Sequence, residues 1–238
     1  MKVLIDGDIV YYRCAAVSEN EEVDAATYRC DELIRRIIHD THSTEYQVFI
    51  NGTDNFRFAV DSEYKAHRKD VPKPKWLEQC REHIVTHWQT TMSNGIETDD
   101  ELGLAATFMW ENDEPFIIAS LDKDLLQLPG KHFNFVKNEF VFISPQDGLR
   151  NFYKQMLIGD PADNIKGVTG IGKVKAGRAI DPLYEEKDMY ELVLSLYSDE
   201  ERFKRNAQLL WILKQSRNPE EILLRFHSLH EQGVETEQ

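Results

Sequence analysis

Short apolar runs closed by acids constrain this chain more than any other feature. Lys2–Ile5 runs into Asp6, and Phe116–Ser120 is followed by Asp122 and Asp124. Runs of that length, with Tyr46–Ile50 beside them, predict buried strands. Asp24–His42 carries Ala26, Cys30, Leu33, Ile34, Ile37 and Ile38 as a helical stripe. Trp76, Cys80, Ile84, Trp88 and Met92 recur every four residues, which predicts one amphipathic helix ended by Asn94-Gly95. Thr98 is placed to cap a further helix through Ala105, Phe108 and Met109. Phe133 and Phe135, then Phe140 and Phe142, flank Lys137-Asn138 and predict a hairpin. Ser144-Pro145 opens a helix with proline at its favoured first position. From there to about Leu224 the pattern is helical, and the Glu-rich end reads as frayed. Strands alternating with helices, then helices alone, predict an α/β domain with a C-terminal helical module.

Charge refines this picture. The 238 residues carry a net charge of −14, which at first argues against a polyanionic partner. The bases are nevertheless gathered. Tyr64–Arg81 holds six bases against two acids, and Asn164–Ile180 holds four against none. Two basic islands in an acidic body make an electrostatic footprint for nucleic acid. No apolar run approaches the ~18 residues of a membrane span, and Asp6 arrives too early for a secretory signal. Three scattered cysteines, Cys14, Cys30 and Cys80, argue against a disulfide framework or structural zinc. A cytoplasmic protein is expected.

The acids fall on separate elements: Asp6, then Glu97 with Asp99 and Asp100 opening a helix, then Asp122 and Asp124, then Asp160 and Asp163 flanking a loop. Helix dipoles and turns account for some of them singly. They do not account for four groups on separate elements, several of them following apolar strands, at whose ends open α/β sheets collect ligands. Crowded carboxylates repel unless a cation holds them, and hard oxygen donors select Mg2+ or Mn2+. Two ions ~3.5–4 Å apart would suit phosphoryl chemistry. His83 and His87 lack the glutamate of a zinc motif. Gly167–Lys173 matches a phosphate loop in outline, but Val174 stands where Ser or Thr would hold Mg2+ and no strand precedes it. A helix–hairpin–helix fits better. Glycines permit the tight turn, helix-terminal amides meet a phosphate, and Lys173 and Lys175 add charge without base specificity.

Five segments occur in one order: Leu-Ile-Asp-Gly-Asp (4–8), Tyr-Lys-Ala-His-Arg (64–68), Gly-Ile-Glu-Thr-Asp-Asp (95–100), Leu-Asp-Lys-Asp-Leu-Leu-Gln-Leu (121–128) and Gly-Asp-Pro-Ala-Asp-Asn-Ile-Lys-Gly-Val-Thr-Gly-Ile-Gly (159–172). Together they resemble the flap endonuclease and 5′→3′ exonuclease family, and with Thr-Asp-Asn-Phe-Arg (53–57) they look most like its stand-alone phage members. The resemblance implies a PIN-like nuclease core, α/β with a central mixed, mostly parallel sheet flanked by helices, in residues 1–150. It places an arch or clamp at 64–92 within that core, and a helical DNA-binding module at 151–238 with the helix–hairpin–helix at 160–180. It implies two Mg2+ (or Mn2+) ions: Asp6, Glu97, Asp99, Asp100 and Asp122 face the first, and Asp122, Asp124, Asp160 and Asp163 the second, many through water. Lys65 and Arg68 would touch the scissile phosphate, and Tyr64 would stack on a terminal base. Lys69, Lys166, Thr169, Gly170, Gly172, Lys173 and Lys175 would contact DNA. Backbone carbonyls of Val168 and Ile171 would hold a K+ ion. The family's usual strand-end aspartate is Asn51 here, and Asp54, which follows shortly after, is the candidate metal residue in its stead.

The expected activity is metal-dependent 5′→3′ exonuclease or 5′-flap endonuclease cleavage of DNA by a monomer, in a host cytoplasm if phage-encoded. Two rivals stand beside it. One is a ribonuclease acting on hybrids with the same site, which the glycine hairpin disfavours. The other is a catalytically inactive, structure-specific DNA-binding protein, which predicts missing acids.

Overall fold

In the computed structural model residues 1–234 are described, the side chains of Lys69 and of residues 232–234 excepted. The expected fraying of the extreme C-terminus partly lies outside the described residues. The chain begins β1 (Lys2–Asp6), α1 (Gly7–Val17), α2 (Val23–Asp40), β2 (Glu45–Asn51), α3 (Arg57–Val60), α4 (Leu77–His87), β3 (Thr90–Ser93) and α5 (Thr98–Glu111). It continues β4 (Phe116–Ala119), β5 (Gly130–Asn134), β6 (Glu139–Ile143), α6 (Pro145–Ile158), β7 (Gly159–Asp160), β8 (Ile165–Lys166) and α7 (Lys173–Ile180). Three helices follow: α8 (Glu186–Leu196), α9 (Glu200–Leu210) and α10 (Glu220–Val234).

Six strands form one sheet in the order β3-β2-β1-β4-β5-β6. All neighbours are parallel except the β5–β6 hairpin. The expected mixed, mostly parallel sheet is therefore present. Alternation along β1 fills both faces. Val3 and Ile5 pack with Val10 and Cys14 of α1, Ile34 of α2 and Ile84 of α4, while Leu4 packs with Leu102 and Ala106 of α5. Burial on both faces is why these strands read as unbroken apolar runs. The chain order reverses at β1, which has β2 on one side and β4 on the other, so the ligand crevice falls at their carboxyl ends.

The structure corrects several sequence expectations. The four-residue stripe through Met92 does not continue as helix. α4 stops at His87, and the β-branched pair Thr90-Thr91 enters an edge strand against β2. α1 carried no distinct stripe and was not expected. Of the segment 64–92, expected to form an arch or clamp, α4 belongs to the core, because its Cys80 and Ile84 are wholly buried beneath the sheet. The boundary at residue 150 falls inside α6, whose Phe152, Met156 and Leu157 join Phe203 and Phe226 in a core shared by α6 to α10. Ser144 caps α6 as expected, its hydroxyl accepting from the Asp147 amide at 3.1 Å.

Candidate active site

The carboxyl ends of β1 and β4 are tied by a short relay. Asp6 caps α1, accepting from the Ile9 amide at 3.2 Å, and its other oxygen accepts from the Ser120 hydroxyl at 2.6 Å. Ser120 Oγ accepts from the Asp122 amide at 2.9 Å, and Asp122 accepts from the Asp124 amide at 2.8 Å. From the far side of the crevice, Asp160 caps the turn between β7 and β8, accepting from the Ala162 amide at 2.8 Å. Burial, then Asp8 and Asp122, push Asp6 up to about 7. Burial with Asp122, Asp6 and Glu97 holds Asp99 well above the usual carboxylate range. Burial with Asp122 and Asp160 pushes Asp124 up to about 7. These repulsions link Asp122 to Asp6 and Asp99 on one side, with Asp8 and Glu97 beside them, and to Asp124 and Asp160 on the other. Among the described residues no three such side chains close into a ready-made metal cage.

Asp163 and Glu97 face a cationic segment. Lys65 adopts the left-handed region at φ 55°, unusual for a residue with a side chain. Its amide holds the Asp163 carbonyl at 3.1 Å, and its amine donates to Glu97 at 2.5 Å and lies 3.6 Å from Asp163. Burial opposes the Lys65 charge, but Glu97 and Asp163 hold its amine above the usual range. Arg68 donates to the Ala162 carbonyl at 2.9 Å and to Asp163 at 2.5 Å. Tyr64 is a correction: its ring is 2 % exposed and offers no face to a base. Its hydroxyl instead lies 3.0 Å from both Glu97 and Asp163. Tyr64 therefore positions these acids, and, for the DNA cleavage expected from the sequence, Tyr64→Phe should lower kcat by ~10-fold while leaving KM within twofold. Steady-state kinetics decide this, since loss of a stacking platform would raise KM instead.

Two expected metal residues are placed elsewhere. Asp100 is fully buried and its oxygens accept four bonds, from Arg57 at 2.6 and 2.9 Å, from the Leu213 amide at 3.0 Å and from the Glu97 amide at 2.9 Å. Those bonds occupy its lone pairs, so it is an anchor for α5 and the 211–213 segment rather than a ligand. Asp54 is exposed on a left-handed turn (φ 63°) and makes no hydrogen bond or ion pair among the described residues. Asn51, at the strand end, accepts from the Thr98 amide at 2.9 Å. Thr98 is not the cap either. Glu97 precedes α5, and Thr98 donates to Asp8 at 2.8 Å.

Sequence reasoning gave no role to Arg57, Asp8, Ser120 or Lys123. Arg57 is the one base between Asn51 and Glu63, and Ser120 ends the strand before Asp122. Those were the available signals. Lys123 is exposed between two acids, its amine 3.6 Å from Asp160.

The glycine turn projects from β8 into α7. Gly170 is left-handed at φ 79°, with nothing within 4 Å of an added Cβ. The Ile171 amide bonds the Val168 carbonyl at 3.2 Å, and Lys175 donates to the Gly170 carbonyl at 2.8 Å. Gly172 precedes α7 with no side-chain cap, while Lys166, Thr169, Gly172, Lys173 and Lys175 are exposed. Lys166 presents its carbonyl inward, to Asn206 at 2.9 Å. The Lys69 side chain lies outside the described residues.

The pattern of the 5′-3′ exonuclease N-terminal, resolvase-like domain matches residues 1–154. A 5′-3′ exonuclease from Buchnera aphidicola subsp. Schizaphis graminum is 26% identical over 228 residues, 87% of this chain and 79% of the relative. A thermostable DNA polymerase I from Thermus thermophilus is 28% identical over 193 residues, 73% of this chain and only 23% of the polymerase. Among solved structures, the T5 5′-exonuclease with bound zinc superposes with a TM-score of 0.72 at 18% identity, covering 88% of this chain and 89% of the other. The bacteriophage T5 flap endonuclease in a pseudo-enzyme–product complex with DNA and metal ions gives 0.69 at 17%, covering 88% of each. At these identities the structures speak to fold.

Proposed function

The chain belongs to the 5′-3′ exonuclease family and is a nuclease, and on that premise we propose that it hydrolyses DNA at a 5′ end or 5′ flap with two divalent ions. The observation that carries this is the pair of mutually repelling acid groups sharing Asp122. Their donors are all carboxylate oxygens, which suits Mg2+ or Mn2+. Asp6, Glu97, Asp99 and Asp122 would hold one ion, and Asp122, Asp124, Asp160 and Asp163 the other, partly through water. Bound there, the ions would supply Lewis-acid chemistry at the phosphate.

The chain's own groups do the rest. Lys65 and Arg68, paired with Glu97 and Asp163, are cations poised beside those acids. They turn to the scissile phosphate and offset its developing charge. Ser120 orients Asp6, and Tyr64 fixes Glu97 against Asp163. Residues from α6 onward form the duplex-binding module. The unsatisfied amides of α7, with Lys166, Thr169, Lys173 and Lys175, meet a phosphate. A K+ ion at the Val168 and Ile171 carbonyls would tighten that contact. Among the described residues no helix is long and apolar enough to cross a membrane. We place the enzyme in the cytoplasm as a monomer.

A 3′-labelled duplex and a 5′-flap DNA, with Mg2+ or EDTA, test the proposal. Mononucleotide ladders on the duplex would mean an exonuclease, and one cut at the junction a flap endonuclease. Asp122→Asn and EDTA should each abolish product. Cleavage that survives EDTA would overturn the metal assignment, and a preference for the RNA strand of a matched hybrid would favour the ribonuclease.

A further inference from the structure

Asp124 and Asp160 reach the crevice from different elements, and a chain of side-chain amides ties those elements together. Asp124 opens the short helical turn Asp124–Gln127, and Asp160 follows α6. Helix α6 lies so close to the turn that a Cβ on Gly148 would stand 2.6 Å from the Gln127 carbonyl oxygen. Asn151 of α6 donates to the Leu126 carbonyl at 2.8 Å, and Lys214 donates to the Gln127 carbonyl at 3.2 Å. Gln127 itself is 1 % exposed. Its Nε2 donates to the Leu210 carbonyl at 2.8 Å and to Gln155 Oε1 at 3.0 Å, and Gln155 Nε2 donates to Asp160 Oδ2 at 3.4 Å.

The direction of this chain is set at both ends. A backbone carbonyl only accepts, so Gln127 presents its nitrogen to Leu210. The same nitrogen faces Gln155, which answers with its oxygen and turns its own nitrogen to Asp160. An ionised carboxylate only accepts, so every link agrees. Asp160 Oδ1 is taken by the Ala162 amide at 2.8 Å, which leaves Oδ2 to be oriented by Gln155. Lys123 approaches the same oxygen at 3.6 Å, but on an exposed, flexible stem. Asp124 and Asp160 repel each other, and two repelling carboxylates keep a fixed spacing only when something braces them.

We propose that Gln155, braced by Gln127 against the Leu210 carbonyl, is a positioning residue that holds Asp160 Oδ2 in place opposite Asp124 for the second divalent ion. The inference rests on the two-ion reading of the acids. Groups that orient a metal's ligands without touching the metal typically carry about 10–100-fold of its affinity. Neither glutamine has to reach the ion or the DNA to do this.

The test is Mn2+ binding to the full chain without DNA, read from the loss of the free ion's paramagnetic resonance signal. The native protein is compared with Gln155→Met, Gln127→Met and the double variant, since methionine keeps the length of the side chain and removes the donor. The native protein should take up two ions. In Gln155→Met one of them should bind at least ~10-fold more weakly and the other within about twofold of native. The double variant should bind no more weakly than Gln155→Met, because Gln127 acts through Gln155. Cleavage by Gln155→Met should fall at low Mg2+ and recover when Mg2+ is raised ~10-fold, with KM for DNA within about twofold of native. Unchanged Mn2+ affinities in Gln155→Met would overturn the positioning role and leave the two-ion site standing. Equal weakening of both ions with a lowered Tm in EDTA would mean a loosened fold and would overturn it too. A double variant clearly weaker than Gln155→Met would remove Gln127 from the chain of action. No Mn2+ uptake by the native protein would bring down the two-ion reading itself, and the role of Gln155 with it.

Discussion

Arg57→Met is expected to lower the unfolding free energy by ~3–5 kcal/mol, because it strands a buried carboxylate. Arg57 is 2 % exposed and holds both oxygens of Asp100, while its Nε and Nη2 hold the Leu209 and Trp211 carbonyls at 2.9 and 2.8 Å. For a chain of this size each kcal/mol moves Tm by ~2–4 °C, so a fall of roughly 6–20 °C should appear in calorimetry. Arg57→Met with Asp100→Leu should recover part of that loss, since the stranded charge is then gone. Asp99 is adjacent in sequence and opposite in effect. Its charge is opposed by burial and by Asp122, Asp6 and Glu97, so Asp99→Asn should raise Tm by a few degrees in EDTA and abolish cleavage. If Arg57→Met melts within ~2 °C of the native chain, the anchor role of Asp100 is wrong.

That contrast marks where sequence reasoning reached and where it stopped. Asp99 and Asp100 are indistinguishable as letters opening a helix. What separates them is Arg57, forty-three positions away and buried with it. The sheet was legible because burial on both faces leaves apolar runs with acids at their ends, as at Ile5–Asp6. β3 was not, because an edge strand of Thr-Thr-Met-Ser carries too little apolar pattern to outweigh the four-residue stripe before it. Tyr64 was misjudged for a similar reason. A tyrosine beside bases suits stacking in sequence, and only packing against Phe58, with ring centres 5.8 Å apart, and its two carboxylate partners decides otherwise. The tight turn at Gly170 was readable because left-handed φ there is a local demand.

The second large effect is a stability profile that divalent ions should invert. Asp6 and Asp124 are raised to about 7, and Asp8, Asp99 and Asp163 are raised as well. A carboxylate with a raised folded pKa keeps its proton in the native state after the unfolded chain has lost it. Stability then falls as pH climbs from about 4 through about 7. Each pKa unit is worth ~1.4 kcal/mol, and because these groups share one another's repulsion their sum is smaller than their separate shifts. Asp31 and Asp147 have the opposite sign, being held low by their partners, but their effect lies below that window. Lys214, lowered to about 7, adds stability only as pH rises beyond 7. In EDTA, therefore, Tm should drop by ~5 °C or more between pH 5 and 7. With saturating Mg2+ the drop should shrink or reverse, since ions need the deprotonated acids. Melting curves at pH 5, 6, 7 and 8, each with EDTA and with Mg2+, read this directly. Parallel profiles in the two series would mean that the acids do not share a cation, and the two-ion site would fall with them.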